Sequence, residues 1–166
     1  MREFATFNLG KSLFGLDVLV VREVNRLMTI TPVPQSPDHI RGLINLRGHV
    51  ATIMNLDVRL GLSSARKQDT PHQVILRTNA ELNSIRTSLQ RPDLVTCEDT
   101  IGFVVDGVGD VVEVADNEVE PVPAGNDQPG SEYFSGVVML QRQLLSILDV
   151  EKIVRNEGSA AAKRAG

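Results

Sequence analysis

The stretch Ile40–Leu62, IRGLINLRGHVATIMNLDVRLGL, holds two apolar runs, Leu43–Leu46 and Val50–Met54, joined across Arg47-Gly48-His49. An apolar run, a glycine-bearing turn and a second apolar run predict a β-hairpin. Asn55 then offers an N-cap side chain, Leu56 and Leu60 lie four apart, and Gly61 suits a left-handed close, so one helical turn follows the hairpin. Arg47 is the residue that does not pack. A cation set between two buried strands is either paired locally or directed at a partner.

The rest of the chain sets the frame for that hairpin. Its 166 residues suit one domain or two small lobes with a real core. Aromatic residues make up 4% and tryptophan is absent, so Val, Leu and Ile must build the interior, which favours strands. A net charge of −4 without a basic stripe argues against nucleic-acid binding. The single cysteine, Cys97, excludes a disulfide framework within one chain and fits a reducing cytosol. No leader pattern opens the chain, and no run approaches the roughly 18 apolar residues of a membrane helix. A soluble, cytoplasmic protein without direct membrane insertion is expected.

Upstream of the hairpin, Phe4–Leu9 alternates as a strand and stops at Gly10-Lys11. Leu13–Val24 is almost continuously apolar, as in a strand buried on both faces, although periodicity leaves a helical turn within Asp17–Val24 open. Ile30–Pro37, with three prolines, must be extended or looped. Downstream, Ser63–Pro71 reads as a polar linker, Gln73–Arg77 as a strand, and Thr78–Thr100 as an inserted helix and loop. In that insertion Leu82, Ile85 and Leu89 have helical spacing, Asn79 is the expected cap, and Pro92 ends the pattern. Ile101–Val105 and Val111–Val114 are strands flanking a turn at Gly107–Asp110. Pro121–Gly130 is loop, Gly136–Leu140 and Leu144–Leu148 form a second hairpin, and Asp149–Val154 is helical. Residues 156–166 carry too little apolar surface to repay ordering and are expected to form a disordered tail.

The chain repeats itself. Phe14-Gly15, a valine-rich run and Pro32-Val33-Pro34 are echoed by Ile101-Gly102, a valine-rich run and Pro121-Val122-Pro123. Gly42-Leu43-Ile44 followed by Ile53 and Leu56 is echoed by Gly136-Val137-Val138 followed by Ile147 and Val150. Each copy supplies about four short strands, as small barrels do. The expected fold is all-β: two successive β-barrel lobes with short helical segments, within a domain covering 1–155. Lobe one would span about 12–70 and lobe two about 71–155, with exchange of a terminal strand left open.

Covalent chemistry has no visible constellation. His39, His49, His72 and Cys97 lack metal-ligand or nucleophile spacing, and no serine sits in a G-x-S-x-G elbow. Gly107-x-Gly109 lacks the third glycine and helix of a phosphate cradle. Asp106, Asp110 and Glu113 are most simply solvated carboxylates beside a turn. No metal, no cofactor and no catalytic residue is expected, and binding is the better reading.

At this point the residues carry a resemblance. F-x-L-G, V-x-R-E-V, I-T-P-V-P, I-R-G-L-I-N-L-R-G, G-F-V-V-D-G-V, P-V-P, Y-F-S-G-V and L-L-S-I-L-D-V-E-K-I-V, in that order from Phe4 to about Val154, resemble the CheW family of chemotaxis coupling proteins. The resemblance implies a non-enzymatic adaptor of two SH3-like five-stranded β-barrel lobes. It implies two partners, a methyl-accepting chemotaxis receptor signalling tip held between the lobes and the regulatory domain of a CheA-type histidine kinase. The protein would then be associated with membrane receptor arrays through these partners. Carried over by motif, Val18, Val21, Glu23, Gly42 and Arg47 are the receptor-binding candidates; kinase-binding residues are not assigned.

Three departures accompany it. Asn55 stands where the family commonly has aspartate. The segment Asn79–Thr100 replaces an expected tight turn and, if ordered, could cover or extend a docking surface. The chain also begins close to its first strand, so no further signalling domain is expected ahead of it. Plainer readings stand beside the functional ones: Val18 and Val21 as core, Gly42 and Gly48 as backbone requirements, and Glu23 with Arg47 as a pair tying strand to hairpin. We expect that pair to form and also to order the receptor groove. An adaptor of a non-flagellar chemosensory pathway is the alternative within the family; a small-ligand β-barrel or enzyme is the alternative outside it.

Overall fold

The computed structural model describes residues 1–62, 71–125 and 128–155. The linker expected at 63–71, apart from Pro71, and the tail expected at 156–166 lie outside the described residues. Among the described residues ten strands form two five-stranded sheets: β1 (Arg2–Leu9), β2 (Ser12–Asp17), β3 (Val21–Arg26), β4 (Ile40–Leu46), β5 (His49–Asn55), β6 (His72–Leu76), β7 (Ile101–Val105), β8 (Gly107–Val114), β9 (Phe134–Met139) and β10 (Leu144–Leu148). The helices are short: α1 (Leu56–Arg59), α2 (Asn79–Leu89) and α3 (Val150–Val154). The protein is mostly β, as its β-branched composition requires.

Sheet membership does not follow a cut near residue 70. The first sheet runs β3-β6-β7-β5-β4 and the second β8-β1-β2-β10-β9. Each sequence repeat is therefore β1–β5 or β6–β10, and each lends its leading hairpin to the other repeat's sheet. The exchange left open for one terminal strand is a reciprocal exchange of two strands. Each lent hairpin is joined on one side by an antiparallel pairing, β3 with β6 or β1 with β8, and on the other by a parallel one, with Thr52 opposite Ile101 between β5 and β7 and Leu13 opposite Leu145 between β2 and β10. The repeat persists in the bridges: Thr31 pairs with Leu43 just as Glu120 pairs with Val137.

Strand alternation explains why so many strands are apolar on both faces. Odd and even positions enter different cores. In β7, Ile101, Phe103 and Val105 join a large central cluster, whereas Val104 joins Ile44, Leu46, Ala51, Ile53 and Ile75 inside the first sheet. In the second sheet Phe7, Phe14 and Phe134 face the central cluster, while Phe4, Val138, Leu145 and Ile147 form that sheet's own core. Phe7 and Phe14, directly opposed in the ladder, stack with centroids 6.1 Å apart. Gly102 leaves room for two core side-chain ends, since a Cβ there would come 2.7 Å from Ile75 Cδ1 and 2.9 Å from Ile53 Cδ1.

Local readings fared differently. Leu13–Val24 is two strands, β2 and β3, split by a 3-10 turn at Val18–Val20, which Asp17 caps by accepting a hydrogen bond from Leu19 N at 3.0 Å. The turn expected at Gly107–Asp110 is strand: β8 is continuous, with a register shift opposite Ala5 and Phe7. Gly109 allows this, since its Cβ position lies 2.5 Å from Thr6 Oγ1, a hydroxyl that donates to the Asp110 carbonyl. Thr78, not Asn79, caps α2 through a capping box with Glu81. Asn79 instead accepts from Thr96 N at 2.8 Å, stitching the inserted loop to the helix.

Candidate functional site

The loop between β4 and β5 is two residues, Arg47-Gly48, with His49 already in strand. Both have positive φ, +51° at Arg47 and +86° at Gly48, the requirement of a type I′ hairpin turn. Asn45 steadies it by accepting from Gly48 N at 2.8 Å. Glycine adopts that backbone freely; arginine does so at a cost on the order of 1 kcal/mol. Something outside the turn must hold Arg47 there. The Arg47 guanidinium donates to Glu23 Oε2, and Asn25 Nδ2 donates to Oε1 of the same carboxylate at 2.9 Å.

The expected Glu23–Arg47 pair is thus present, and its placement has a structural consequence. Glu23 lies on β3 and Arg47 at the end of β4, strands at opposite edges of the first sheet. One arginine side chain can join them only if the sheet is strongly curled. The hydrogen bond from Arg47, with lesser help from Asn25 and Arg22, holds the Glu23 carboxyl below the usual carboxylate range against the opposing effect of burial. The Arg47 side chain is nevertheless 68% exposed, against 22% for Glu23, so the guanidinium is presented outward while it is anchored.

The other candidates are distributed around this pair. Val18 is half-buried on the 3-10 turn, and Val21, half-buried at the start of β3, packs against the central cluster. Neither is fully buried, so the reading of both as core holds in part for Val21. Gly42 is buried in β4 with φ +150°; a Cβ there would lie 2.3 Å from the Thr31 carbonyl oxygen, which accepts from Leu43 N. Its requirement is backbone packing. Asn55 stands at the N-cap of α1 without a side-chain capping bond, and its Oδ1 lies 3.5 Å from Arg41 Nη1.

A second ion pair was missed in the sequence. Arg22, beside Glu23 on β3 at a register shift of the ladder, pairs with Glu81 in the first turn of α2. Burial raises the Glu81 pKa, but hydrogen bonds from Arg22 and Thr78 outweigh it, so the group stays ionised below its usual range. The signal was legible: Thr78-x-x-Glu81 is a capping-box pattern, and such a helix start brings a carboxylate to a fixed place. Among the described residues no group of three or more His, Cys, Asp or Glu side chains is arranged to hold a metal ion, and no helix is long and apolar enough to cross a membrane.

A CheW-like domain model matches residues 3–158. The chain belongs to the CheW-like domain family. It is 27% identical over 159 residues to a protein named Chemotaxis protein CheW from Klebsiella aerogenes, covering 96% of this chain and 85% of that protein. It is 26% identical to Protein FrzA of Myxococcus xanthus, covering 98% of this chain and 91% of that one. The crystal structure of scaffolding protein TtCheW from Thermoanaerobacter tengcongensis superposes with a TM-score of 0.75 at 24% identity, over 92% of this chain and 86% of the other, which establishes a CheW-like fold.

Proposed function

We propose that this protein is a non-enzymatic chemotaxis adaptor that couples methyl-accepting chemoreceptors to a CheA-type histidine kinase. The observation that carries the reading is Arg47, a cation fixed in a left-handed turn by Glu23 yet directed to solvent, on a chain whose family match spans residues 3–158. Its pairing with Glu23 fixes where the guanidinium stands, and a side chain 68% exposed leaves its remaining donors open to a partner. Val18, Val21, Glu23, Gly42 and Arg47 form the receptor-facing set: Arg47 makes contact, Glu23 orients it, Gly42 lets the Thr31 segment lie against β4, and the two valines supply apolar surface. The kinase regulatory domain docks elsewhere on the same molecule, and the adaptor is cytoplasmic, held at receptor arrays by its partners.

Each sheet, in this reading, is the wall of one SH3-like barrel lobe. Two features support it: each sheet wraps an apolar cluster of its own, and the Glu23–Arg47 pair bridges the edges of the first. In a second reading the same adaptor serves a chemosensory array with an output other than flagellar control; the relative Protein FrzA does not carry a chemotaxis name. Co-sedimentation with a receptor signalling-tip fragment and a kinase regulatory domain tests the shared claim. Binding of both at micromolar concentration is expected; binding of neither overturns it.

A further inference from the structure

The insertion that departs from the expected tight turn builds a groove on the outer side of the first sheet. Its floor is Leu43 on β4 and Val50 on β5, and Val50 is 66% exposed, an unusual exposure for a valine on a paired strand. Its far wall comes from the insertion, whose ordered position is fixed by the Arg22–Glu81 pair and the capping box at Thr78. The groove is open to solvent and has a volume of about 810 Å³, enough for more than one side chain of a partner.

Charge decides what fits. Glu98 and Asp99 stand exposed on the rim, and among the described residues neither has a cationic partner; Glu98 only accepts from Asn79 Nδ2 at 3.2 Å. Among the described residues that line the groove, the only arginine, Arg22, already serves Glu81. With His49 as the other basic side chain on the lining, the groove offers an apolar floor beside two carboxylates that, among the described residues, have no ion-pair partner. All of its walls belong to the first sheet and the insertion, so it is separate from the junction between the sheets.

We propose that this groove is a second docking site, which takes a protein segment bearing an aliphatic side chain for the Val50–Leu43 floor and lysine or arginine for Glu98 and Asp99. The insertion makes it a selectivity device, because half of the lining arises from Thr78–Thr100, a stretch a tight turn would not supply. The claim deepens the adaptor reading by adding a site for one of its protein partners, and rests on that reading only for the partner's identity. Electrostatic steering by the rim would raise the encounter rate and make binding weaken with salt.

The test uses the full chain, isotopically labelled, and two synthetic peptides of alternating leucine and lysine or leucine and glutamate. Amide shifts confined to Leu43, Val50, Thr52 and 98–100 are expected with the lysine peptide and absent with the glutamate peptide. The double variant E98K/D99K should weaken the lysine peptide about tenfold, and V50D, at an exposed position that tolerates charge, by a similar factor. Shifts elsewhere, equal binding of both peptides, or unchanged affinity in both variants would overturn the groove. In parallel, the receptor fragment and the kinase regulatory domain are titrated against wild type and E98K/D99K. Loss of affinity for one partner alone assigns the groove to it, whereas a wild type that binds neither partner but still binds the lysine peptide sinks the adaptor reading and leaves the groove standing.

Discussion

Arg47 combines a strained backbone with an anchored side chain, and the two can be separated. Arg47→Asn keeps a residue that tolerates the left-handed region, relieving about 1 kcal/mol of strain while losing an exposed pair worth about 0.2–1 kcal/mol. The melting temperature should therefore stay within a few degrees of wild type while receptor binding falls. A large loss of stability with intact binding would show that the residue is structural. A fully buried pair would cost several kcal/mol to break, but at 68% exposure water compensates most of the loss. The same pair predicts a pH effect. Because the Glu23 pKa is lowered on folding, the pair's stabilisation is present above the ordinary carboxylate range and lost as pH falls through the lowered value. Acid titration followed by circular dichroism should show a small destabilising step in wild type that is missing in Arg47→Asn. Gly42→Ala is the contrasting case. Its Cβ would strike the Thr31 backbone, which has no flexible end to move, so a loss of about 2–4 kcal/mol in denaturant unfolding is expected. Proximity of Glu23 and Arg47 could be guessed from sequence because opposite charges flank apolar runs; the left-handed φ of an arginine could not, since the Asn-Gly and Asp-Gly pairs that announce such turns are absent here.

At the scale of elements, α2 shows where sequence reading succeeds and where it slips. Leu82, Ile85 and Leu89 announced a helix, and one forms, yet only Leu82 is buried and Leu89 is 53% exposed. Helical spacing identifies a face; the depth of burial depends on what the neighbouring sheet offers. The cap was misplaced by one residue because Asn79 and Thr78 are both cap formers, and the deciding group, Glu81, lies three residues beyond Thr78. Thr78→Ala should cost about 1 kcal/mol, through loss of the reciprocal bonds at the helix start. Leu82→Ala should cost about 2–5 kcal/mol, since Leu82 is fully buried in the central cluster. Chemical denaturation with an unchanged m-value would check both. The order of these losses matters more than their size: a Leu82→Ala loss no larger than that of Thr78→Ala would mean that the insertion rests on the surface and contributes no core.

The whole molecule is held together by strand exchange between its repeats. The sequence repeat was legible in Gly15 and Gly102, Gly42 and Gly136, and the two proline brackets. Which repeat's sheet each hairpin joins was not, because strands apolar on both faces fit either neighbour equally well by pattern. The pairings of β3 with β6, β5 with β7, β1 with β8 and β2 with β10 decide it, and all four join strands of different repeats, with no tight turn to announce them. Exchange also explains the size of the central cluster, to which both sheets and all three helices contribute. An ionic link crosses the same junction. Arg91 of the insertion lies 2.8 Å from Asp17 at the end of β2, which Arg2 of β1 approaches to 3.5 Å, and hydrogen bonds to Asp93 and Asp17 hold Arg91 firmly in its charged form. Because each sheet contains a hairpin covalently continuous with the other repeat, neither can unfold and leave its partner intact. Urea unfolding should therefore be one transition, in which methyl signals of Ile53 and Ile75 in the first sheet and Ile147 in the second vanish together. Phe103→Ala, at the centre of the shared cluster, should lower that common midpoint by about 3–5 kcal/mol of stability without separating the signals. Two midpoints, with Ile147 persisting after Ile53 and Ile75 are lost, would mean that the sheets are independent domains and that the exchange confers no cooperativity.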